Sequence, residues 1–163
     1  MSEWMERAFE IAEEELGEVP VGCIFVYEGR IIAESTNTVN ETRNATRHAE
    51  INCVDQVLKW CKGNGLNSVD VFRKVDVVVT VEPCIMCADA LHNLRVASIT
   101  YACNNDRFGG LGSTLDTGEF ISNPCPRKVD SNSERALQLL RQFYQGVNPN
   151  APVPKTKKKR KEN

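Results

Sequence analysis

The stretch that most restricts the fold is VDVVVTV, residues 75–81, which runs directly into EPCIMC. Five valines and a threonine among seven residues predict a buried strand from their density of β-branched side chains. Pro83 ends that strand, and a helix is predicted from about Cys84 to Leu94. VASITYAC (96–103) then reads as a further strand, followed by the glycine-rich loop NNDRFGGLGS.

The rest of the chain extends this alternation. Met5, Ala8, Phe9, Ala12 and Leu16 recur at helical spacing and predict an amphipathic first helix ending near Gly17. VPVGCIFVY and RIIAEST are two β-rich runs joined by Glu28-Gly29, a hairpin turn. NTVNETRNATR is polar and unpatterned, so it reads as a loop. Ile51, Val54, Val57, Leu58 and Cys61 define a helix that begins at His48 and stops around Gly63-Asn64-Gly65. Beyond the glycine-rich loop, Pro124 and Pro126 argue against regular structure up to about Asp130. Ser131-x-x-Glu134 is a capping box for a last helix with Ala136, Leu137, Leu140, Phe143 and Tyr144 on its apolar face. Strands alternating with helices imply an α/β domain, a hairpin leading into parallel crossovers.

Charge divides the chain in two. Residues from Lys155 onward hold six bases and one acid; removing them from the totals of 20 bases and 22 acids leaves 14 against 21. The expected organisation is one domain over 1–150 and a basic, disordered tail over 151–163. The tail fits a solvated end, an RNA-phosphate contact or a nuclear import signal. No apolar run approaches the roughly 20 residues of a membrane span, so no membrane partner is expected. The first residues lack the basic and apolar regions of a secretory signal, which predicts a nuclear and/or cytoplasmic chain that is not secreted. Seven cysteines in a reducing compartment do not suggest a disulfide framework.

Cys84 and Cys87, three apart at a helix start, lie on one face and can reach one ion. The positive end of the helix favours their thiolate forms, and Pro83 suits a first turn where its missing N–H costs nothing. On their own these cysteines also fit a redox pair or part of a structural zinc knuckle. RHAEI adds His48 and Glu50 at a second helix start, where a leading residue need not be helical and both side chains can face one point. His48 with two thiolates makes three protein ligands and leaves a fourth position for water, the pattern of catalytic zinc. Two thiolates offset the charge of Zn²⁺, so a carboxylate is needed to accept the proton of that water, and Glu50 is the candidate. A redox pair would leave His48 and Glu50 idle. A structural site would need a fourth ligand from Cys53, Cys61 or Cys103.

HAE followed by PCIMC resembles the H-x-E…P-C-x-x-C signature of the zinc-dependent nucleobase deaminases. EVPVGCIFV, NATRHAEI, TVEPCIMCADAL and DRFGGLGS follow in the order and spacing of the tRNA adenosine deaminases, across most of residues 4 to 113. The resemblance implies a three-layer α/β/α sandwich of the cytidine-deaminase type on a mixed, five-stranded sheet. It also implies Zn²⁺ held by His48, Cys84 and Cys87, with Glu50 as the proton shuttle. The substrate would be tRNA with a wobble adenosine, deaminated to inosine. The presence of Glu50 resembles the catalytic subunit of the eukaryotic heterodimers, whose partner would be the sister deaminase subunit (deaminase 3), which lacks that glutamate.

By the same resemblance Asn37 stands at the spacing of a substrate-binding asparagine, and Ala49 and Pro83 line the pocket through backbone atoms. Asp106 and Arg107 fall in a loop beside the RNA. Glu82 reads as a residue supporting the site. Cys23, Cys53 and Cys103 read as core residues, His92 as a surface or core histidine, Asp89 as solvated, and Trp4, Trp60 and Phe143-Tyr144 as packing. The rival function is a zinc deaminase of free cytidine, deoxycytidylate or guanine, which would share the metal site. An acidic body is unusual for an RNA enzyme, because phosphate neutralisation supplies much of RNA affinity. The resemblance assigns part of that surface to the sister subunit.

Overall fold

The computed structural model describes residues 3–15, 17–130 and 133–146. Helix α1 (Glu3–Glu14) buries Met5, Ala8, Phe9 and Ala12, four of the residues whose spacing predicted it, and Ile11 beside them. Strands β1 (Gly22–Tyr27) and β2 (Arg30–Thr36) form the expected hairpin. Its turn places Glu28 at φ 50° and Gly29 at φ 74°, the two left-handed residues a tight two-residue turn requires. The chain continues through α2 (Val39–Thr42), α3 (Ala49–Asn64), α4 (Ser68–Phe72), β3 (Val75–Val81), α5 (Ile85–Leu94) and β4 (Ser98–Cys103). A 3₁₀ turn (Thr117–Phe120), β5 (Arg127–Val129) and α6 (Ser133–Gln145) complete it.

The strands lie in the order β2-β1-β3-β4-β5. β1 is antiparallel to both neighbours, while β3, β4 and β5 run parallel. Side chains alternate across the pleat, so both faces of the central strands are buried. Cys23, Phe25, Val77 and Val79 join Cys53, Val57 and Leu91 in one core. Ile24, Val26 and Val78 join Met5, Ala8, Phe9 and Ala136 in the other. Each such Phe or Val contributes about 1.5–3 kcal/mol on burial, which is what holds helices to both sides of the sheet. The result is the three-layer α/β/α sandwich on a mixed five-stranded sheet.

Two contacts fix the outer layers. A Cβ on Gly22 would lie 1.9 Å from the Ala8 carbonyl oxygen, so α1 can cross β1 only where there is no side chain. Arg135 of α6 sits 4.5 Å above the Phe9 ring and pairs with Glu6 and Glu13 at 2.8 Å each. At the free edge of the sheet, the Gln56 side chain from α3 takes the Glu34 N–H at 3.2 Å and donates to the Glu34 carbonyl at 2.9 Å.

Three elements differ from the expected pattern. The polar stretch 37–47 contains the short helix α2, whose amides are capped by a distant residue described below. Helix α4 was not anticipated; Asn67 caps it by accepting from the Val69 and Asp70 N–H groups. The segment with Pro124 and Pro126 supplies the fifth strand, since both prolines precede β5 and only the Pro126 carbonyl enters the ladder, accepting from Ile99. All three residues of β5 are exposed, so no apolar alternation announced it. Leu16, the Ser131 half of the capping box and the tail 151–163 lie outside the described residues.

Candidate active site

His48 and Cys84 are the N-cap residues of α3 and α5, both with extended backbone (ψ 159° and 166°) and neither using its side chain to cap. That conformation lets each leading residue turn away from its helix. The two helix starts converge at the ends of β2 and β3, and His48 Nδ1 lies 3.4 Å from Cys84 Sγ and 3.7 Å from Cys87 Sγ. Tetrahedral zinc, with bonds of about 2.3 Å to sulfur and about 2.05 Å to nitrogen, separates those atoms by about 3.6 Å. The donor set fits the ion in type and in spacing. It is the one group of three His, Cys, Asp or Glu side chains among the described residues that could hold a metal, and no fourth protein ligand joins it.

The three groups share protons through their mutual contacts. The Cys84 thiol is held down to about 4, first by the hydrogen bond from Cys87 and then by His48. Cys87 is pushed up by that same hydrogen bond and by burial. His48 is raised, chiefly by its hydrogen bond with Cys84. Metal binding releases such shared protons. Glu50, in the first turn of α3, is only 4% exposed, and burial pushes its carboxyl up to about 7.

His48, Glu50 and Cys84 line a cavity of about 490 Å³ that opens to the surface. Asn37, also on its wall, is buried and held at both ends: its Nδ2 donates to the Val19 carbonyl at 2.9 Å and its Oδ1 accepts the Ala49 N–H at 3.0 Å. Asp106 and Arg107 line the same cavity from the loop after β4. Ala49 and Pro83 do not line it; the Ala49 N–H is taken by Asn37, and the Pro83 carbonyl accepts from Gly110 at 2.9 Å.

Glu82 is buried and organises that loop. One carboxylate oxygen accepts from the Leu111 and Ser113 N–H groups at 2.9 and 3.2 Å; the other accepts from the Asn105 N–H at 2.9 Å and from the Ser113 hydroxyl. Gly109 is required beneath it, because a Cβ there would stand 2.6 Å from the carboxylate. The supporting role expected of Glu82 is this clamp. His92 is a core histidine whose Nδ1 accepts the Cys125 N–H at 3.0 Å, and Asp89 is exposed.

Several cavity residues were not anticipated. Tyr144, expected to pack, is 56% exposed and lines the cleft with Leu137 and Leu140 of α6. Phe108, 55% exposed, lines it from the loop with the Arg107 guanidinium 5.0 Å from its ring. Glu18 also lines the cavity and is buried. Aromatic residues at the end of an amphipathic helix, and a glutamate just before a strand, carry no periodic signal that separates cleft from core.

Three protein ligands, an adjacent buried carboxylate and an open cleft define a hydrolytic metal enzyme rather than a structural zinc module. Residues 1–103 match the profile of the cytidine and deoxycytidylate deaminase zinc-binding region. The chain is 48% identical over 162 residues to tRNA-specific adenosine deaminase 2 of Xenopus tropicalis, covering 96% of this chain and 95% of that one. It is 37% identical to the tRNA-specific adenosine deaminase subunit tad2 of Schizosaccharomyces pombe, covering 96% of this chain and 40% of the relative. A solved structure from work on A-to-I editing by tRNA:A34 deaminases at the wobble position superposes with a TM-score of 0.71 at 29% identity, covering 84% of this chain and 98% of that one. The chain belongs to the zinc-binding deaminase family and, within it, to the tRNA-specific adenosine deaminases.

Proposed function

We propose that this chain converts adenosine at the wobble position of tRNA anticodons to inosine, with water consumed and ammonia released. The observation that carries it is the placement of Glu50, a buried carboxylate beside three zinc-type ligands at the wall of an open cleft. A zinc ion held by His48, Cys84 and Cys87 supplies, when bound, a Lewis-acidic position that acidifies water. Glu50 takes a proton from the attacking water and delivers it to N1 of the adenine as the new C–O bond forms at C6. The Glu50 carboxylate then takes the remaining proton from the new C6 hydroxyl and passes it to the amino group, so that the C–N bond breaks, ammonia leaves and C6 carries a carbonyl oxygen. Asn37 keeps one amide hydrogen and one lone pair free for the nucleotide, and Ala49 serves by holding that amide in place. Pro83 fixes the loop through its carbonyl, and Asp106 and Arg107 contact the RNA at the rim. A base is reached only after it leaves its stack, so the anticodon loop must splay its adenine into the cleft.

Residues 1–150 act as the deaminase domain. A sister subunit, deaminase 3, completes the RNA surface that this acidic body lacks, with the basic tail at 151–163 adding to it, in the nucleus and/or cytoplasm. No helix among the described residues is long and apolar enough to cross a membrane.

The test is to incubate the purified chain, with and without the sister subunit, with unmodified tRNA carrying a wobble adenosine, beside free cytidine, deoxycytidylate and guanine. Inosine in the tRNA is the expected product. Turnover of a free base or nucleotide without inosine in tRNA would replace this function by the rival one.

A further inference from the structure

A four-residue helix cannot sustain itself, because nucleation fixes several residues for one hydrogen bond. Helix α2 nevertheless forms, and its N-cap residue Thr38 makes no side-chain capping bond. The cap comes from 22 residues away. One oxygen of the Glu18 carboxylate accepts the Asn40 N–H at 2.7 Å and the Glu41 N–H at 2.8 Å, and the other accepts from Asn40 Nδ2 at 2.8 Å. Glu18 is 2% exposed, so these partners stand in for water around a buried carboxylate.

The next residue continues the same connection. The Val19 carbonyl holds the Asn37 amide, and Asn37 in turn holds the Ala49 N–H between His48 and Glu50. From the far side, Asn52 of α3 donates to the Thr36 carbonyl and to Thr38 Oγ1 at 3.0 Å each. The segment from Thr36 to Glu41 is therefore pinned by Glu18 and Val19 on one side and by α3 on the other. Asn37, Val39 and Asn40 of that segment all line the cleft.

We infer that Glu18 is a positioning residue for substrate: it caps α2 from a distance and thereby holds the wall bearing Asn37 in the shape that receives the nucleotide. Its kinetic consequence rests on the function proposed above, whereas its structural consequence does not. Removing the carboxylate frees the Asn40 and Glu41 amides and leaves the ligands His48, Cys84 and Cys87 in place. The damage therefore falls on binding rather than on chemistry.

The experiment combines amide hydrogen exchange on the zinc-loaded full chain with steady-state kinetics on that chain together with the sister subunit. Glu18→Ala is expected to raise exchange across residues 38–42 by ~10-fold or more, and to raise KM for tRNA by about tenfold with kcat per bound zinc within about twofold. Glu18→Gln retains an acceptor for both backbone amides, and Asn40 can turn its side-chain amide to meet it, so this variant should behave as wild type. If Glu18→Ala does not fold, Asn40→Asp sets two carboxylates face to face and should give the same two effects. Combining it with Glu18→Gln should reverse them, since the contact then has one donor and one acceptor again. Unchanged exchange overturns the clamp. Raised exchange with unchanged KM, or a loss of kcat and zinc with unchanged KM, overturns the positioning role. A wild-type chain that makes no inosine even with the sister subunit present overturns the proposed function instead, and exchange alone then decides whether Glu18 is the cap.

Discussion

The metal ligands and the cleft wall are both built at helix starts, but by opposite means. His48 and Cys84 do not cap their own helices but turn their side chains toward one another, while Asn37 and the Phe108 carbonyl take the first amides of α3 and α5. On the wall, the loop at 105–113 and helix α2 have their backbone amides satisfied by carboxylates from elsewhere, Glu82 and Glu18. One region is set by local spacing on rigid helices, the other by single buried acids reaching across the chain. Damage to the first should therefore stop chemistry, while damage to the second should change what is bound and how firmly.

The sharpest way to break this contrast is Cys87→Ala. It should take bound zinc from about one per chain to none, measured by elemental analysis, with inosine formation abolished. Retained metal with this variant would mean that the ligand set is wrong. Glu50→Ala comes next: zinc should stay at wild-type stoichiometry while kcat falls about 10²–10⁴-fold, the range for losing a proton-transfer group. Turnover near wild type would remove Glu50 from the chemistry. Glu82→Ala strands several backbone amides and should cost about 3 kcal/mol in chemical denaturation, with zinc retained in the folded fraction. A change under about 0.5 kcal/mol would show that the loop at 105–113 does not depend on it. The smallest effect is expected of Tyr144→Ala, a severalfold rise in KM for tRNA at unchanged kcat and unchanged melting temperature. A drop in stability instead would return Tyr144 to a packing role.

The same contrast explains what could be read from residues alone. H-x-E and C-x-x-C are local spacings, and helix geometry converts a local spacing into a direction, so the metal site was legible before any fold was known. VDVVVTV and the Glu28-Gly29 turn were legible for the same reason, since periodicity and left-handed φ are properties of neighbours. Glu18 was not, because its partners lie 22 and 23 residues away and a glutamate before a strand looks like any surface acid. Helix α2 was hidden with it, since the cap that allows it is remote. Strand β5 was hidden because its stability comes from backbone pairing with β4, and its exposed Arg127, Lys128 and Val129 carry no pattern. The apparent excess of acid in the body is part of the same account. Glu18 and Glu82 face inward to amides, so two of the body's acids are not presented at the surface to a polyanion.

Gln56 has a consequence of another kind. A sheet that ends at β2 offers free N–H and C=O groups along an outer strand, a template on which a second chain can add. By occupying both backbone groups of Glu34, the Gln56 amide imitates the next strand with one side chain and closes the template at that residue. Gln56 therefore leaves no free backbone pair at Glu34 for another strand to extend. Its replacement by alanine should leave catalysis intact while making the protein prone to assemble edge to edge during concentration or storage.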